Sequence, residues 1–301
     1  MRKKGPTLFS QKGIKMQEIL EMLQDTAIDT IKLLPFLFIT YLIMEYIEHK
    51  TSNKVKDVIK KSGKFGPLLG AIVGIFPQCG FSVSATNLYA GRVITLGTLI
   101  SVYLATSDEM LPILLTEAVP AGTIFTILGI KLVLGIVAGF IIDFVIRMFR
   151  KEKVEEQEEK IEEICEHEHC HCEEGIVTSA IKHTLNITIF IFFITLVLNG
   201  IIAYIGEDTI AHFISKNVIL GPIVAGLIGL IPNCASSVIL TELFISNVIS
   251  MPVLISGVAV NAGVGLLVLF KTNKNVKENI KIVGILYLIG VLAGIILELF
   301  L

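Results

Sequence analysis

The chain has 301 residues, of which 53% are hydrophobic, and its mean hydropathy is +0.77. Soluble domains contain about 45–50% apolar residues, so this composition argues against a soluble globular protein, and we expect no nucleic-acid partner. The formal net charge of −2 is little guide to function, because it sums segments that would lie on opposite sides of a membrane.

Apolar runs long enough to cross a bilayer, which takes about 20 residues, follow one another along the chain. They are Ile28–Ile47, Phe65–Ala90, Ile124–Phe149, Leu185–Ile205, Leu220–Ile245 and Ile282–Leu301. Residues 1–27 form a basic tail that lacks the apolar core and cleavage site of a signal peptide. The pattern predicts an all-α, polytopic, multi-pass protein of the cell membrane, with the lipid bilayer as its surroundings.

The second half of the chain repeats the first, with an offset of 155 residues and without a gap. Pro77-Gln78-Cys79 returns as Pro232-Asn233-Cys234, and Gly66-Pro67 returns as Gly221-Pro222. Two homologous membrane halves, each with a Pro-broken helix, are typical of transporters. We therefore expect a first membrane repeat over residues 1–149, a cytoplasmic linker over 150–175 and a second repeat over 176–301.

The distribution of lysines predicts that the two repeats are inverted. Loop 48–64 has six lysines, whereas its repeat partner 203–219 has one; loop 116–123 has none, whereas its partner 271–281 has four. Because lysine and arginine mark cytoplasmic loops, equivalent loops should face opposite sides. Inversion needs an odd number of crossings per repeat, and five per repeat gives about ten spans. This topology places the basic N-terminal tail outside the cell, contrary to the rule that basic segments lie in the cytoplasm.

The two Pro-broken segments carry the first candidate site. Proline removes a backbone N–H and breaks or kinks a helix, so carbonyl groups and half-helix N-termini become available to a ligand. Gln78, Cys79, Asn233 and Cys234 follow the two prolines, and inverted symmetry would bring them together near the membrane midplane. Thiols with amides suit a soft, thiophilic ion. The alternative is that each cysteine is a small packing residue beside a kink.

A second pair of polar interruptions follows. Asp108 and Glu109 lie in an apolar block, and the repeat-equivalent segment carries Asn261. An acidic interruption in one repeat and a neutral one in the other would suit proton coupling, or the acids could neutralise the charge of a bound cation. The alternative is that this segment is a solvated loop at the membrane interface. Lys131 is either a counter-ion to these acids or a side chain that reaches the interface. The segments around Pro77 and Asp108 are either short spans or re-entrant hairpins.

The linker has the composition of a metal-binding segment. Eight consecutive positions, 165–172, hold all six candidate ligands: Cys165, His167, His169, Cys170, His171 and Cys172. Thiolate and imidazole ligands suit Zn²⁺ and other borderline or soft divalent ions. The spacing is not that of a zinc finger, so we expect a flexible capture loop. The alternative is a solvated charged linker without a metal.

With these motifs, two five-span halves and a His/Cys-rich central loop, the chain resembles the ten-span heavy-metal exporter family, which is related to the arsenical permeases. The resemblance covers about residues 25–301. It implies membrane efflux of a metal or metalloid; some members are labelled arsenic efflux proteins or manganese transporters. The related permeases often have a denser cysteine cluster at the first broken helix, where this chain has one cysteine per half. Manganese would prefer oxygen ligands.

The leading interpretation is a secondary transporter, or permease, that exports a heavy metal or metalloid with proton coupling. It would be no enzyme and would require no cofactor, although zinc or another divalent ion would bind the linker. No P-loop pattern is present to use ATP. The alternatives are an intramembrane thiol redox enzyme, a membrane metal sensor, and a transporter of manganese or another divalent cation. The sequence also leaves open whether the protein forms a homo-oligomer.

Overall fold

The structure is a computed structural model. It describes residues 65–107, 109–149, 176–205 and 219–300, together with residues 23–24, 26–28, 30–35, 37–39 and 41–42. Throughout these ranges the chain forms helices joined by turns, with no β-strand, as the sequence predicts.

Helix α1 comprises the described residues between 23 and 42. The described part of the first repeat continues with five further helices: α2 (Gly66–Gly74), α3 (Gly80–Ala90), α4 (Leu96–Ala105), α5 (Met110–Thr116) and α6 (Ala121–Phe149). The described part of the second repeat has six helices in the same order: α7 (Ile176–Ile205), α8 (Leu220–Gly229), α9 (Cys234–Ile245), α10 (Met251–Val260), α11 (Gly265–Thr272) and α12 (Val276–Phe300).

Both Pro-containing runs are broken in the same way. Pro77 separates α2 from α3, and Pro232 separates α8 from α9. Each proline is the central residue of a three-residue turn: Gln78 N donates to the Phe76 carbonyl at 2.8 Å, and Asn233 N donates to the Ile231 carbonyl at 2.7 Å. The fixed φ of proline, about −65°, is close to that of an inverse γ-turn. The predicted Pro-broken helices are therefore confirmed.

A second break occurs in each repeat without a proline. Residues 106–109 separate α4 from α5, and residues 261–264 separate α10 from α11. In the second repeat, Gly263 has a φ of 53°, which glycine adopts at little cost. Its N–H donates to Asn261 Oδ1 at 2.7 Å. A side-chain amide thus replaces the helical hydrogen bond and ends α10.

Five helical stretches among the described residues are long and apolar enough to cross a membrane. They are Leu96–Thr116, Ala121–Met148, Ala180–Val197, Met251–Thr272 and Val276–Phe300, and the apolar α8 and α9 are shorter. Large apolar side chains on α6 and α12 face outward, such as Phe125 at 73% exposure and Leu299 at 74%. Such faces suit contact with lipid tails. The chain is a multi-span membrane protein.

The same packing unit occurs in each repeat. Helix α4 lies against α2 and α6, and α10 lies against α8 and α12. Ser101 Oγ donates to the Pro67 carbonyl at 2.5 Å, and the equivalent Ser256 Oγ donates to the Pro222 carbonyl at 2.7 Å. Small residues permit close helix contacts in membranes: a Cβ added to Gly229 would lie 2.1 Å from the Gly257 carbonyl oxygen.

The two repeats exchange contacts through their short helices. Helix α3 of the first repeat packs on α11 of the second, and α9 of the second packs on α5 of the first. Each short helix that follows a proline therefore contacts the short helix that follows the other repeat's second break. This exchange brings all four breaks to the junction between the repeats. The inversion of the repeats and the division at residues 149 and 176 stay predictions.

Candidate metal or metalloid site

The two membrane cysteines meet at the junction between the repeats. Cys79 is the N-cap residue of α3, and Cys234 is the first residue of α9. Their Sγ atoms lie 3.9 Å apart, and the residues are only 9% and 8% exposed. The sulfurs are not bonded as a disulfide. Two positions that are 155 residues apart in sequence thus form one buried thiol pair.

The geometry of this pair suits a bidentate soft ligand set. A tetrahedral ion with metal–sulfur bonds of about 2.3 Å holds two sulfurs about 3.8 Å apart, close to the observed separation. Both cysteines also lie at helix N-termini, where the first backbone N–H groups have no intrahelical acceptors and can face a ligand. The arrangement can therefore chelate a thiophilic ion with little movement of either helix.

The flanking amides differ in their surroundings. Asn233 is buried, and its Oδ1 accepts from Ala235 N at 3.4 Å, which caps α9. Gln78 is partly exposed, and its Nε2 donates to the Lys32 carbonyl of α1 at 3.4 Å. Asn233 thus belongs to the buried junction, whereas Gln78 connects the first break to α1.

Asn261 is linked to the same junction through a residue that the sequence reasoning missed. Its Nδ2 donates to Ser236 Oγ at 3.0 Å, and Ser236 Oγ also contacts the Asn233 carbonyl at 2.7 Å. Both Asn261 and Ser236 are buried. The structure therefore brings Cys79, Cys234, Asn233 and Asn261 into one polar region. The signal for Ser236 is a serine where the first repeat has Phe81.

The acidic break is described only in part. Glu109 is the partly buried N-cap residue of α5, and Asp108 lies outside the described residues. Lys131 in α6 is fully buried, and its Nζ donates to the Val258 carbonyl of α10 at 2.7 Å. It does not extend to the molecular surface, which argues against the interfacial alternative. Its pairing with an acid at the break stays a prediction.

Lys131 contacts α10 at the C-terminal end of that helix. Val258 is in the last turn of α10, where the helix ends and its carbonyls lose their intrahelical partners. A cation there is favoured by the negative end of the helix dipole. The repeat-equivalent position holds Leu286, which is also buried. The first repeat therefore contributes a buried positive charge to the junction, and the second repeat has none at that position.

Buried polar groups continue along α3 from the cysteine. Thr86 Oγ1 lies 2.6 Å from Tyr103 OH and donates to the Gly265 carbonyl at 3.2 Å. The next residue, Asn87, is buried; its Oδ1 accepts from Tyr41 OH at 3.5 Å, and its Nδ2 has no hydrogen-bond partner among the described residues. Such groups are costly inside a membrane unless they serve binding or a polar path.

The described residues contain no group of three or more His, Cys, Asp or Glu side chains that could hold a metal ion. Any ion at the thiol pair would therefore complete its coordination with amide or carbonyl oxygens, water or its own substituents. The six linker ligands, Cys165, His167, His169, Cys170, His171 and Cys172, lie outside the described residues.

Residues 16–203 match the model of a family described as "Putative, 10TM heavy-metal exporter". The matched region covers the first repeat, the linker and most of α7, and the internal repeat relates the remaining helices to it. No curated protein and no solved structure matches the chain. On the family match, together with the broken membrane helices, this chain belongs to the ten-transmembrane heavy-metal exporter family.

Proposed function

We propose that this protein is a secondary transporter that exports a thiophilic heavy-metal or metalloid ion from the cell. The observation that carries the proposal is the buried pair of sulfurs, 3.9 Å apart, at the junction of two broken helices. Broken helices at the interface of repeats are where transporters bind their substrates. The family match supports export of a heavy metal.

Proton coupling follows from the chemistry of the same pair. A thiol binds a metal as its thiolate, so ion binding releases protons. A divalent ion that binds both Cys79 and Cys234 from the cytoplasm releases two protons there. When the ion leaves outward, the two sulfurs take up two protons from outside. Each cycle then exchanges one ion for two protons, and the proton gradient drives export without ATP.

The substrate is a soft or borderline ion. Two thiolates suit Cd²⁺, Zn²⁺, Cu⁺ and trivalent arsenicals, whereas manganese prefers oxygen ligands. Trivalent arsenic binds two or three thiolates, so a methylated arsenical, which needs only two, suits this pair better than arsenite. The linker ligands serve a different role: they capture metal near the cytoplasmic entrance. The linker has few apolar residues with which to enclose a transport site.

The thiol pair also supports a second candidate function, an intramembrane thiol redox activity. Two cysteines at this separation can form a disulfide after a small movement of the two helix ends. A disulfide between Cys79 and Cys234 that accumulates during turnover would favour this alternative. The absence of a CxxC motif in the sequence argues for transport instead.

The test is metal resistance in a deletion strain that carries either the wild type or Cys79→Ser with Cys234→Ser. The panel is arsenite, methylarsenite, Cd, Zn, Co and Mn. We expect the double variant to lose resistance to the exported soft ion by about tenfold or more, which corresponds to roughly 1.4 kcal/mol of binding. Serine is nearly isosteric, so membrane insertion should be unchanged.

A matched control changes the linker instead of the membrane pair. Cys165, Cys170 and Cys172 become Ser, and His167, His169 and His171 become Ala. This variant should bind less metal and lose only part of the resistance. Unchanged resistance in the Cys79→Ser, Cys234→Ser protein would reject the site, and complete loss in a correctly inserted linker variant would reject the division of roles.

A further inference from the structure

An ion pair joins the two repeats away from the thiol pair. Arg92 follows the end of α3, and Glu278 lies in the first turn of α12. Arg92 Nη1 and Nη2 donate to the two carboxylate oxygens of Glu278 at 2.8 and 2.9 Å. Tyr89 OH donates to the same carboxylate, and the Arg92 guanidinium lies over the Tyr89 ring at 5.2 Å. Both charged side chains are 23% exposed.

Both ends of this ion pair are held rigidly. Arg92 has a φ of 58°, in the left-handed region that non-glycine residues rarely adopt. On the other side, Asn273 and Asn279 are buried and hydrogen-bonded to one another at 2.8 and 2.7 Å, which fixes the corner between α11 and α12. The hydrogen bonds that Arg92 donates to Glu278 raise the pKa of Arg92 above its ordinary value, so Arg92 stays charged at physiological pH.

The repeat-equivalent positions do not carry this ion pair. Tyr89, Arg92 and Glu278 correspond to Phe244, Asn247 and Thr123. The backbone is the same, since Asn247 has a φ of 56°. The charged groups are missing at these equivalent positions, so the bidentate ion pair has no counterpart there.

Helix α3, whose C-terminal end carries Arg92, also packs closely on α11, the helix that precedes α12. A Cβ added to Gly265 of α11 would lie 3.1 Å from Ser82 Cβ and 3.2 Å from the Ser82 carbonyl oxygen of α3. In the equivalent pair, α9 and α5, the larger Met110 occupies the position of Gly265. Helix α3 is therefore held to the second repeat by close packing on α11 and by the ion pair to α12.

We propose that Arg92, Tyr89 and Glu278 form a gate latch that closes the cytoplasmic face of the transporter, and that the repeat-equivalent positions form no such latch at the opposite face. Because α3 runs from Cys79 at its N-terminus to Arg92 beyond its C-terminus, breaking the latch frees α3 to move away from α11 and opens the thiol pair to the cytoplasm. Four lysines of residues 271–281 assign this face to the cytoplasm. The inference rests on the proposed transport function.

The asymmetry has a mechanistic consequence. An exporter must release its ion outward and must not let it return, so the resting state should be closed towards the cytoplasm. A latch that opens only when a metal ion or a proton changes the contacts at the junction between the repeats keeps the resting state closed towards the cytoplasm. Loss of the latch should therefore increase cytoplasmic access to the site and reduce net export.

The experiment measures access to Cys79 and Cys234 with a charged, membrane-impermeant methanethiosulfonate, in a background where Cys165, Cys170 and Cys172 are Ser. Everted vesicles expose the cytoplasmic side, and right-side-out vesicles expose the other. We expect Arg92→Gln and Glu278→Gln each to speed modification about tenfold in everted vesicles only. The charge-swapped pair, Arg92→Glu with Glu278→Arg, should return the rate towards that of the wild type.

The control variants are Asn247→Gln and Thr123→Ala at the equivalent positions, which should leave the rates unchanged. Equal rates in the wild type and both single Gln variants would overturn the latch, as would faster modification from both sides, which indicates a loosened fold. Modification requires no transport: faster everted labelling in a protein whose wild type exports no metal would keep the latch and reject the proposed function.

Discussion

At the scale of single residues, the contact between α3 and α11 depends on a glycine. Gly265 lies against the Ser82 backbone, and its carbonyl accepts hydrogen bonds from Thr86 at 3.2 Å and Tyr103 at 3.3 Å. Because the closest atoms include backbone, they cannot rotate away from a new methyl group. A larger residue at this position therefore requires α3 and α11 to move apart slightly.

We predict that Gly265→Ala lowers stability by about 1–3 kcal/mol, the usual cost of overpacking. The measurement is the thermal unfolding midpoint of the protein in detergent. Gly129→Ala is the matched control, because an added Cβ at Gly129 meets nothing within 4 Å. A Gly265→Ala protein as stable as the Gly129→Ala protein would mean that this contact is looser than described.

Some site residues could be predicted from the sequence for a physical reason. Cys79 and Cys234 each follow a proline that must break a helix, and their equivalence in the repeat indicates a shared location. Ser236 and Arg92 could not be predicted in this way, since their partners Asn261 and Glu278 are distant in sequence and their repeat equivalents are different residues. Comparison of the two repeats cannot predict the role of a position at which they carry different residues.

At the scale of elements, α4 begins against the end of α6 through a buried carboxylate. Asp143 Oδ1 accepts from Gly97 N at 2.9 Å, and its Oδ2 accepts from Thr95 Oγ1 at 2.7 Å. Asp143 is buried, whereas its repeat equivalent Glu298 is partly exposed and accepts from Ser250 Oγ at 2.8 Å. The same helix junction is therefore capped more strongly in the first repeat.

We predict that Asp143→Ala costs about 1–3 kcal/mol of stability, because it leaves the Gly97 N–H buried without an acceptor. Asp143→Asn should cost less, since its amide oxygen still accepts. Glu298→Ala should cost less than Asp143→Ala, about 0.5 kcal/mol, because Glu298 is only partly buried and no buried N–H loses its acceptor. Unfolding midpoints in detergent compare the three variants, and equal losses for Asp143→Ala and Glu298→Ala would contradict the assignment.

The helix breaks illustrate what a sequence can reveal at this scale. The breaks at Pro77 and Pro232 follow from proline chemistry alone. The breaks at 106–109 and 261–264 contain no proline, so only polar residues within apolar runs indicate them. In the second of these breaks, Asn261 ends α10 because its Oδ1 accepts from Gly263 N. The packing of α3 on α11 and of α9 on α5, each in the other repeat, could not be predicted from the sequence, since it depends on long-range contacts rather than on local preference.

At the scale of the whole molecule, the central prediction is that the two repeats have opposite orientations in the membrane. The same contacts recur at an offset of 155 residues, while the lysines lie in loops that are not equivalent. A gate that alternates between two faces is readily built from inverted repeats, because each conformation of one repeat has its counterpart in the other. The latch at Arg92 then distinguishes the two faces.

We predict that cysteines introduced at Val58 and Val276 are modified by an impermeant thiol reagent from the cytoplasm, and that one at Ile210 is modified from outside. The background carries Ser at all five native cysteines, Cys79, Cys165, Cys170, Cys172 and Cys234, so that labelling reports the introduced position. Residues 58 and 210 lie in loops at equivalent places of the two repeats, so only inversion puts them on opposite sides. Labelling of both from the same side would reject inversion, and with it the assignment of the latch to one face of an alternating-access transporter.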